Sequence, residues 1–281
     1  MAESKILREV FWEKVWQEGR KFSTAKIKTS NYKKWIKFWN LMSEFYDEIE
    51  KDLQILVKEV IEVLKKEGLI FDKSVVLEIG CGPGTFTIPL SYEVEKVVAL
   101  DPAPKMLDKL RSKIDTLKVS NIELIQERWE TTSFDQKFDL VLAAFCPAIN
   151  NSKNLLKMKE ISQGYACLIN YAKLDNFTIE IRNKLWKLLT GKDFISQGFH
   201  IIYPFGVLYA KGFRPQLKVI KTSYVIERKV ETLIKQYENY FEIFTPLNKK
   251  KKLLIKRFFQ EKATNDKLVF NNHLEVYVMW W

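Results

Sequence analysis

Three glycines at alternate positions, followed by an acidic residue, are the part of this chain best suited to bind a ligand. Gly80, Gly82 and Gly84 come directly after the apolar run 75–79, and Asp101 ends a second apolar run. Glycine has no Cβ atom, so a glycine turn lets a ligand approach bare peptide groups. In βαβ nucleotide sites, an acid about 20 residues further on accepts hydrogen bonds from ribose hydroxyls. The spacing therefore predicts a nucleotide-binding turn.

Short apolar runs that alternate with helical segments supply the elements that would hold this turn. Apolar strands buried on both faces are typical of parallel sheets. A helix is predicted from Pro104 to about residue 117, since proline is favoured in the first helical turn. The order strand, turn, helix predicts an α/β fold with a doubly wound, mostly parallel sheet, its strands falling at 75–79, 97–101, 121–126, 138–144 and 165–172.

The glycine spacing resembles that of one enzyme family. Residues 78–84 read E-I-G-C-G-P-G, which differs from the dinucleotide pattern G-x-G-x-x-G. They resemble the E/D-x-G-x-G-x-G signature of class I S-adenosylmethionine-dependent methyltransferases, and Asp101 matches the acid that ends the second strand of that family. The resemblance covers roughly residues 71–172. It implies a methyltransferase with S-adenosyl-L-methionine as cofactor and a Rossmann-like sheet of seven strands that ends in an antiparallel hairpin.

The same resemblance implies a set of cofactor-binding residues. Asp101 would hold the ribose and Glu78 would shape the methionine end of the site. Many members carry an acid for the adenine amine where this chain has Arg128, so either Glu127 or Glu130 could accept from that amine. Trp129 either lies against the adenine ring or is a wall residue. The complete predicted set is Glu78, Gly80, Cys81, Gly82, Gly84, Asp101, Pro102, Arg128 and Trp129.

The remainder of the chain is assigned to a cap and to the end of the sheet. Residues 1–70 show apolar positions at helical spacing and predict an N-terminal helical cap, with the methyltransferase domain at 71–281. A helix is predicted at 177–189. Residues 193–212 contain several glycines and a proline, and predict an irregular substrate loop. Strand, helix, helix and strand are then predicted at 217–226, 230–244, 249–262 and 274–281.

The acceptor side is predicted after the fourth strand, because ligands of open α/β sheets bind beyond the carboxyl ends of the strands. Residues 145–149 match neither the N/D-P-P-Y/F segment of amino-methyltransferases nor the Pro-Cys order of cytosine C5 enzymes. A nucleophilic Cys146 would need a lowered pKa, so a small wall residue is favoured. Methyl transfer is an in-line displacement that alignment alone can promote, and no catalytic residue is assigned. The predicted substrate residues are Tyr46, Phe145, Cys146, Pro147, His200 and Tyr203.

Composition bears on the core, on metal binding and on the cellular compartment of the protein. The 281 residues are 47% hydrophobic, which is ample for a packed core. Three cysteines without a C-x-x-C pair and only two histidines predict no metal site. The charged N-terminus and the absence of a long apolar stretch favour a cytoplasmic protein with no membrane segment.

The charge leaves the class of acceptor open. Lys and Arg total 46 against 35 for Asp and Glu, a net charge of +11, with basic clusters at 20–37 and 249–257. Such clusters could track phosphates, with Trp35, Phe38 and Trp39 stacking on bases, as in a tRNA or rRNA methyltransferase. A Lys-rich composition with solvated helix faces explains the clusters without a ligand, and no recognised RNA-binding module is present, so a small-molecule acceptor is favoured. A non-catalytic cofactor-binding protein on the same fold is the third hypothesis.

Overall fold

A single sheet of seven strands organises the computed structural model, which describes residues 6, 8–24, 32–172, 177–195 and 200–281. The strands are β1 Val75–Ile79, β2 Lys96–Leu100, β3 Ile122–Ile125, β4 Phe138–Ala144, β5 Ser162–Tyr171, β6 Gln216–Lys229 and β7 Lys267–Trp280. They lie in the order β3-β2-β1-β4-β5-β7-β6. Strands β1 to β5 pair in parallel, whereas β7 is antiparallel to both β5 and β6. The predicted fold class is confirmed.

The helices surround this sheet. They are α1 Glu9–Phe22, α2 Tyr32–Met42, α3 Tyr46–Lys66, α4 Thr87–Ser91, α5 Pro104–Leu117, α6 Ser152–Glu160, α7 Phe177–Thr190, α8 Ile202–Ala210, α9 Val230–Glu242 and α10 Lys249–Gln260, and a single 3-10 turn at Ser43–Phe45 joins α2 to α3. Pro104 opens α5 as predicted. Asn151 and Asn248 cap α6 and α10 by accepting hydrogen bonds from backbone N–H groups in the first turn.

The two faces of the sheet carry separate apolar cores. On one face, Leu56, Val60 and Leu64 of α3 pack against alternate residues of the central strands. On the other face, α1 and α8 contribute Trp16, Val207 and others to a second core. The segment predicted as an N-terminal cap is therefore shared between the two faces of the sheet, because α1 packs on the face opposite to α3.

A third core lies beyond the carboxyl ends of the parallel strands. Strands β6 and β7 are each 14 residues long, and their paired register continues past the end of β5. Helices α9 and α10 are inserted between them and pack with α7 around side chains such as Leu185, Phe241 and Phe259. We call the part of β6 and β7 that passes β5 the extended hairpin.

The structure corrects the predicted substrate loop. Residues 202–210 form helix α8, where an irregular segment was predicted. Pro204 is tolerated because it lies in the first helical turn, and Gly206 permits close packing on α1. A Cβ atom on Gly206 would lie 2.2 Å from a ring atom of Trp12. Residues 196–199 of the predicted loop, and Lys26 and Lys28 of the first basic cluster, lie outside the described residues.

Candidate functional site

A cavity of about 600 Å³ runs along the carboxyl edge of the parallel strands. We distinguish two ends of it. The glycine end is formed by residues 78–82, 100–102 and 127–130, with α2 above them. The hairpin end is formed by residues 144–148, by 170–171 at the end of β5, by α7 and α9, and by the extended hairpin. Helix α3 contributes residues to the wall between the two.

The glycine turn places a bare stretch of backbone in the cavity wall. Gly80, Gly82 and Gly84 all have positive φ angles, of 72°, 54° and 96°. A Cβ atom on Gly80 would lie 2.6 Å from Cys146 Sγ, and one on Gly84 would lie 2.5 Å from Leu110 Cδ1. A Cβ atom on Gly82 would meet no atom within 4 Å. Gly80 and Gly84 are thus needed for packing, whereas Gly82 borders open space. Gly84 is absent from the cavity wall.

Two buried carboxylates flank this turn. Asp101 accepts hydrogen bonds from the backbone N–H groups of Gly82 at 3.0 Å and Ala103 at 2.8 Å. Burial raises its pKa to about 6, and these two hydrogen bonds oppose the shift. Glu78 accepts a hydrogen bond of 2.5 Å from the Thr87 hydroxyl, and burial raises its pKa to about 8. Both carboxylates belong to the cavity wall, where a ligand with hydroxyl or ammonium donors would satisfy them.

Aromatic side chains cover the glycine end. Tyr32 and Trp35 of α2 line it, and both carry a buried polar atom, Oη and Nε1, with no hydrogen-bond partner in the described part of the chain. The Arg128 guanidinium lies 3.9 Å from the centre of the Tyr32 ring, and its Nε atom lies 3.5 Å from Glu130 Oε2. Trp129 donates its indole N–H to the carbonyl of Asn154 at 3.1 Å, which fixes the ring in the wall.

Helices α2 and α3 are held over this end by polar contacts with α5. Lys109 pairs with Asp47 at 2.7 Å, and Lys113 pairs with Glu50. The Lys105 backbone N–H donates to the Asn40 side chain at 3.1 Å. Since α5 follows β2 directly, these contacts fix the cover relative to the glycine turn.

The predicted acceptor segment lies at the hairpin end. Phe145, Cys146 and Pro147 all line the cavity, as does Tyr46 of α3. Phe145 has a φ of 50°, unusual for a residue other than glycine, and its ring centre lies 4.9 Å from that of Tyr171. Burial raises the pKa of Cys146 to about 12, so its thiol stays protonated near neutral pH. This supports the wall role predicted for Cys146 and argues against a nucleophile.

Several polar residues at the hairpin end were missed in the sequence. Arg228 of β6 is buried and pairs with Asp52 of α3, while its Nε atom lies 3.1 Å from Glu48 Oε2. Asn272 of β7 donates to the hydroxyl of its cross-strand partner Tyr224 at 2.9 Å. Alternation along β6 and β7 predicts which residues share a face, but no sequence signal placed that face in the cavity.

Other candidates lie away from the cavity. Tyr203 stacks on Trp16 of α1 with 6.1 Å between the ring centres, and the neighbouring His200 accepts a hydrogen bond from the Ile202 backbone N–H at 3.2 Å. The structure therefore does not bring these two predicted substrate residues to the acceptor segment. Asp139 of β4 also lies away from the cavity, where its side chain accepts a hydrogen bond from the Val75 N–H at 2.8 Å, at the start of β1.

Comparison with known proteins identifies the class to which this fold and site belong. Residues 76–163 match the family model described as a methyltransferase domain. An uncharacterized protein of Haemophilus influenzae is 25% identical over 215 residues, 73% of this chain and 75% of the relative. Ribosomal RNA small subunit methyltransferase G of Colwellia psychrerythraea is 30% identical over 120 residues, but they cover only 42% of this chain and 54% of that enzyme.

Solved structures share the fold. A structure from Bacillus halodurans C-125 superposes with a TM-score of 0.51 at 15% identity, covering 80% of this chain and 96% of that one. Magnesium protoporphyrin IX methyltransferase from Synechocystis PCC 6803, solved with bound SAH, gives a TM-score of 0.50 at 17% identity, with coverage of 82% and 85%.

The matched domain, the sheet order and the glycine turn together define the class. Residues 76–163 form a methyltransferase domain with the sheet order and glycine turn of the class I enzymes, and the cofactor of this methyltransferase is S-adenosylmethionine. Among the described residues, no helix is both long and apolar enough to cross a membrane. The same part of the chain holds no cluster of three or more His, Cys, Asp or Glu side chains suited to a metal ion.

Proposed function

We propose that this enzyme methylates a small molecule bound at the hairpin end of the cavity, with S-adenosylmethionine at the glycine end. The observation that carries the proposal is the lining of the hairpin end, which several elements share. Helices α7 and α9 and the extended hairpin all contribute to its wall, with aromatic side chains from Phe145, Tyr171, Tyr237 and Phe270 among them. Such a recess suits a compact acceptor.

The residues at the glycine end fit the cofactor. Gly82 borders open space, two buried carboxylates lie beside it, and the Trp35 indole N–H, which has no partner in the described part of the chain, lies on the same wall. In the proposed arrangement, Asp101 accepts from the ribose hydroxyls, and Glu78 shapes the methionine end with Cys81 and Pro102. Arg128, Trp129 and Glu130 then surround the adenine, since they line the far side of this end.

The protein's contribution to the reaction is alignment and exclusion of water. When bound, the cofactor supplies an electrophilic methyl group on a sulfonium cation. Aromatic faces attract such a cation. Tyr46 of α3 lies in the wall between the two ends of the cavity, and Phe145 lies at the hairpin end. Holding the acceptor atom in line with the methyl group, in a site closed by α2, accelerates displacement without a covalent intermediate on the protein.

The RNA alternative draws on the ribosomal RNA methyltransferase relatives and on the two basic clusters. Several observations weigh against it. Trp35 and Phe38, expected to stack on bases, are each only 7% exposed and pack in a core with α5. Both basic clusters, as far as the structure describes them, lie away from the cavity. Lysines 33, 34 and 37 are exposed on α2 and absent from the cavity wall, and α10 contributes no residue to that wall. Lys252 of the second cluster lies 3.5 Å from Glu238.

Methyl transfer from cofactor with a labelled methyl group tests the proposal. A cell extract is divided into a low-mass fraction and an RNA fraction, and each is incubated with the enzyme and with its Asp101→Ala variant. We expect label in the low-mass fraction, resistant to nuclease and much reduced in the variant. Label confined to RNA would establish the alternative. Cofactor binding without transfer to either fraction would indicate a non-catalytic binding protein.

A further inference from the structure

Arg182 of α7 differs from the other arginines in the cavity wall. Three arginines line the cavity, and two have a carboxylate partner, namely Arg128 with Glu130 and Arg228 with Asp52 and Glu48. The contacts that the described residues give Arg182 are to Asn183, Phe194 and Tyr240, none of which is acidic. Within the described residues, the guanidinium thus lines the cavity without an acidic partner.

One nitrogen of this guanidinium, Nη1, takes no part in the hydrogen bonds with Asn183. The Nε and Nη2 atoms lie 3.2 and 3.0 Å from Asn183 Oδ1, and the plane stacks 4.2 Å above the Phe194 ring. These contacts fix the orientation of a planar group and leave Nη1 out of both hydrogen bonds. A guanidinium held in this way is preorganised to bind a carboxylate.

Two neutral side chains of α9 line the cavity together with Arg182. The Tyr240 hydroxyl oxygen is an acceptor for Arg182, and burial raises the pKa of Tyr240, so the hydroxyl keeps its own proton and can donate it. Gln236 lies one turn before Tyr240 on α9 and on the same helix face, and its buried Nε2 donor has no partner in the described part of the chain. Tyr171, whose pKa burial also raises, is close enough to feel the Arg182 charge. We call Arg182, Gln236 and Tyr240 the anion corner.

Asp52, the carboxylate that the described part of the chain places at this end, already has a partner. Asp52 is held by Arg228 on the extended hairpin, so it does not neutralise the anion corner. One guanidinium and neutral donors balance a single negative charge, as on a carboxylate, better than the nearly double charge of a phosphate monoester. Aromatic rings from Phe145, Tyr171 and Tyr237 line the adjoining wall and suit a flat ring system.

We propose that the anion corner binds a carboxylate group of the acceptor, which makes the acceptor an aromatic carboxylic acid. This inference rests on the proposed small-molecule function and names the substrate class for it. The carboxylate accepts hydrogen bonds from the Arg182 guanidinium and the Gln236 amide. The aromatic ring of the acceptor lies among Phe145, Tyr171 and Tyr237.

Paired ligands that differ only in charge test the anion corner. Enzyme saturated with S-adenosylhomocysteine is titrated by calorimetry with benzoate, 4-hydroxybenzoate and indole-3-acetate, and with the matching neutral amides. We expect the wild type to bind at least one carboxylate about tenfold more tightly than its amide. Arg182→Gln should remove that preference without changing amide affinity, and Arg182→Lys should keep part of it.

Arg214 provides a matched control. Its guanidinium also lies over an aromatic ring, 4.5 Å from the centre of Tyr209, but Arg214 is absent from the cavity wall. Arg214→Gln should leave the carboxylate preference intact, and all three variants should bind S-adenosylhomocysteine as the wild type does.

Three results would overturn the assignment: no carboxylate binding by the wild type, equal binding of carboxylate and amide, or a preference that survives Arg182→Gln. Tighter binding of phenyl phosphate than of any carboxylate would also reject it. Failure of the function itself would look different, because methyl transfer to the low-mass fraction would be missing while the charge preference persisted.

Discussion

At the residue scale, the glycines of the turn have different roles. Gly80 and Gly84 allow close packing, whereas Gly82 leaves space for a ligand. Gly82→Ala introduces a Cβ atom that meets no protein atom, at a φ of 54°. We expect a stability loss of about 1–2 kcal/mol from the left-handed backbone. We also expect at least an approximately tenfold loss of affinity for S-adenosylhomocysteine, because the new methyl group enters the space assigned to the cofactor. Calorimetry and urea unfolding measure the two effects.

Gly212 is the control for this substitution. It has a φ of 89° and likewise no atom within 4 Å of a Cβ position, but it lies outside the cavity wall. Gly212→Ala should match the stability loss and spare the affinity. Equal cofactor affinities in Gly82→Ala and wild type would place the cofactor elsewhere.

Glu78 makes stability depend on pH in a direction opposite to that of a paired carboxylate. Its folded pKa of about 8 lies above its ordinary value of 4.5, so over that range the folded protein keeps a proton that the unfolded chain loses. The free energy of unfolding therefore falls as pH rises through this window. In Glu78→Gln this loss is removed, and the Thr87 hydroxyl can still donate to the amide oxygen.

We expect the stability of Glu78→Gln relative to wild type to improve by a few kcal/mol between about pH 5 and about pH 9. Urea unfolding at intervals across this range measures the difference without ligand. The exposed Glu95, changed to Gln, should show no such trend. A constant difference between Glu78→Gln and wild type would mean that Glu78 is ionised in the folded protein.

At the scale of elements, one buried cation joins the N-terminal helices to the extended hairpin. Arg228 side-chain exposure is 8% and that of Asp52 is 14%, whereas Glu48 is 49% exposed and can be solvated. Arg228→Met leaves Asp52 without its partner, and we expect a loss of about 2–4 kcal/mol. Asp52→Asn combined with Arg228→Met should recover part of that loss, since the uncompensated charge is gone.

A double-mutant cycle by urea unfolding measures this coupling. Arg214→Met, at an exposed position, should change stability by no more than about 0.5 kcal/mol. Additive losses in the cycle would show that α3 and β6 are held together by apolar packing alone.

The elements also show how far the sequence could be interpreted. Strands β1 and β4 were predicted with their observed bounds, since short, mostly apolar runs are typical of buried parallel strands. Helix α8 was missed because its proline and its glycine suggested a loop, whereas the glycine accommodates Trp12. The start of β7 at Lys267 was missed as well, because residues 267–273 hold only a short apolar run at 268–270, followed by three polar residues.

The candidate site was likewise predictable only in part. The glycine turn and Asp101 are local in sequence, so their proximity followed from the motif. Asp52, Arg182, Gln236 and Arg228 come from four different elements, and only the packing of α7 and α9 against the extended hairpin brings them to one cavity. Long-range contacts of this kind have no periodic signature.

At the scale of the whole molecule, the net charge of +11 and the enclosed cavity make different predictions about salt. RNA binding that neutralises several phosphates weakens steeply, with a log–log slope of about −0.7 for each phosphate on a single strand. A single carboxylate bound in a recess loses far less, because buried pairs are screened less than exposed ones. We therefore expect kcat/KM for the small acceptor to fall with a slope no steeper than about −1.

The α10 cluster tests the same point by charge reversal. Lys249, Lys250 and Lys256 are exposed on α10, and changing all three to Glu lowers the net charge by six units, from +11 to +5. Methyl transfer to the small acceptor should stay within about twofold of the wild type, because these side chains lie outside the cavity. A large loss of transfer, together with a steep salt dependence in the wild type, would instead indicate that the basic surface holds a polyanionic acceptor and that the cavity receives only the base to be methylated.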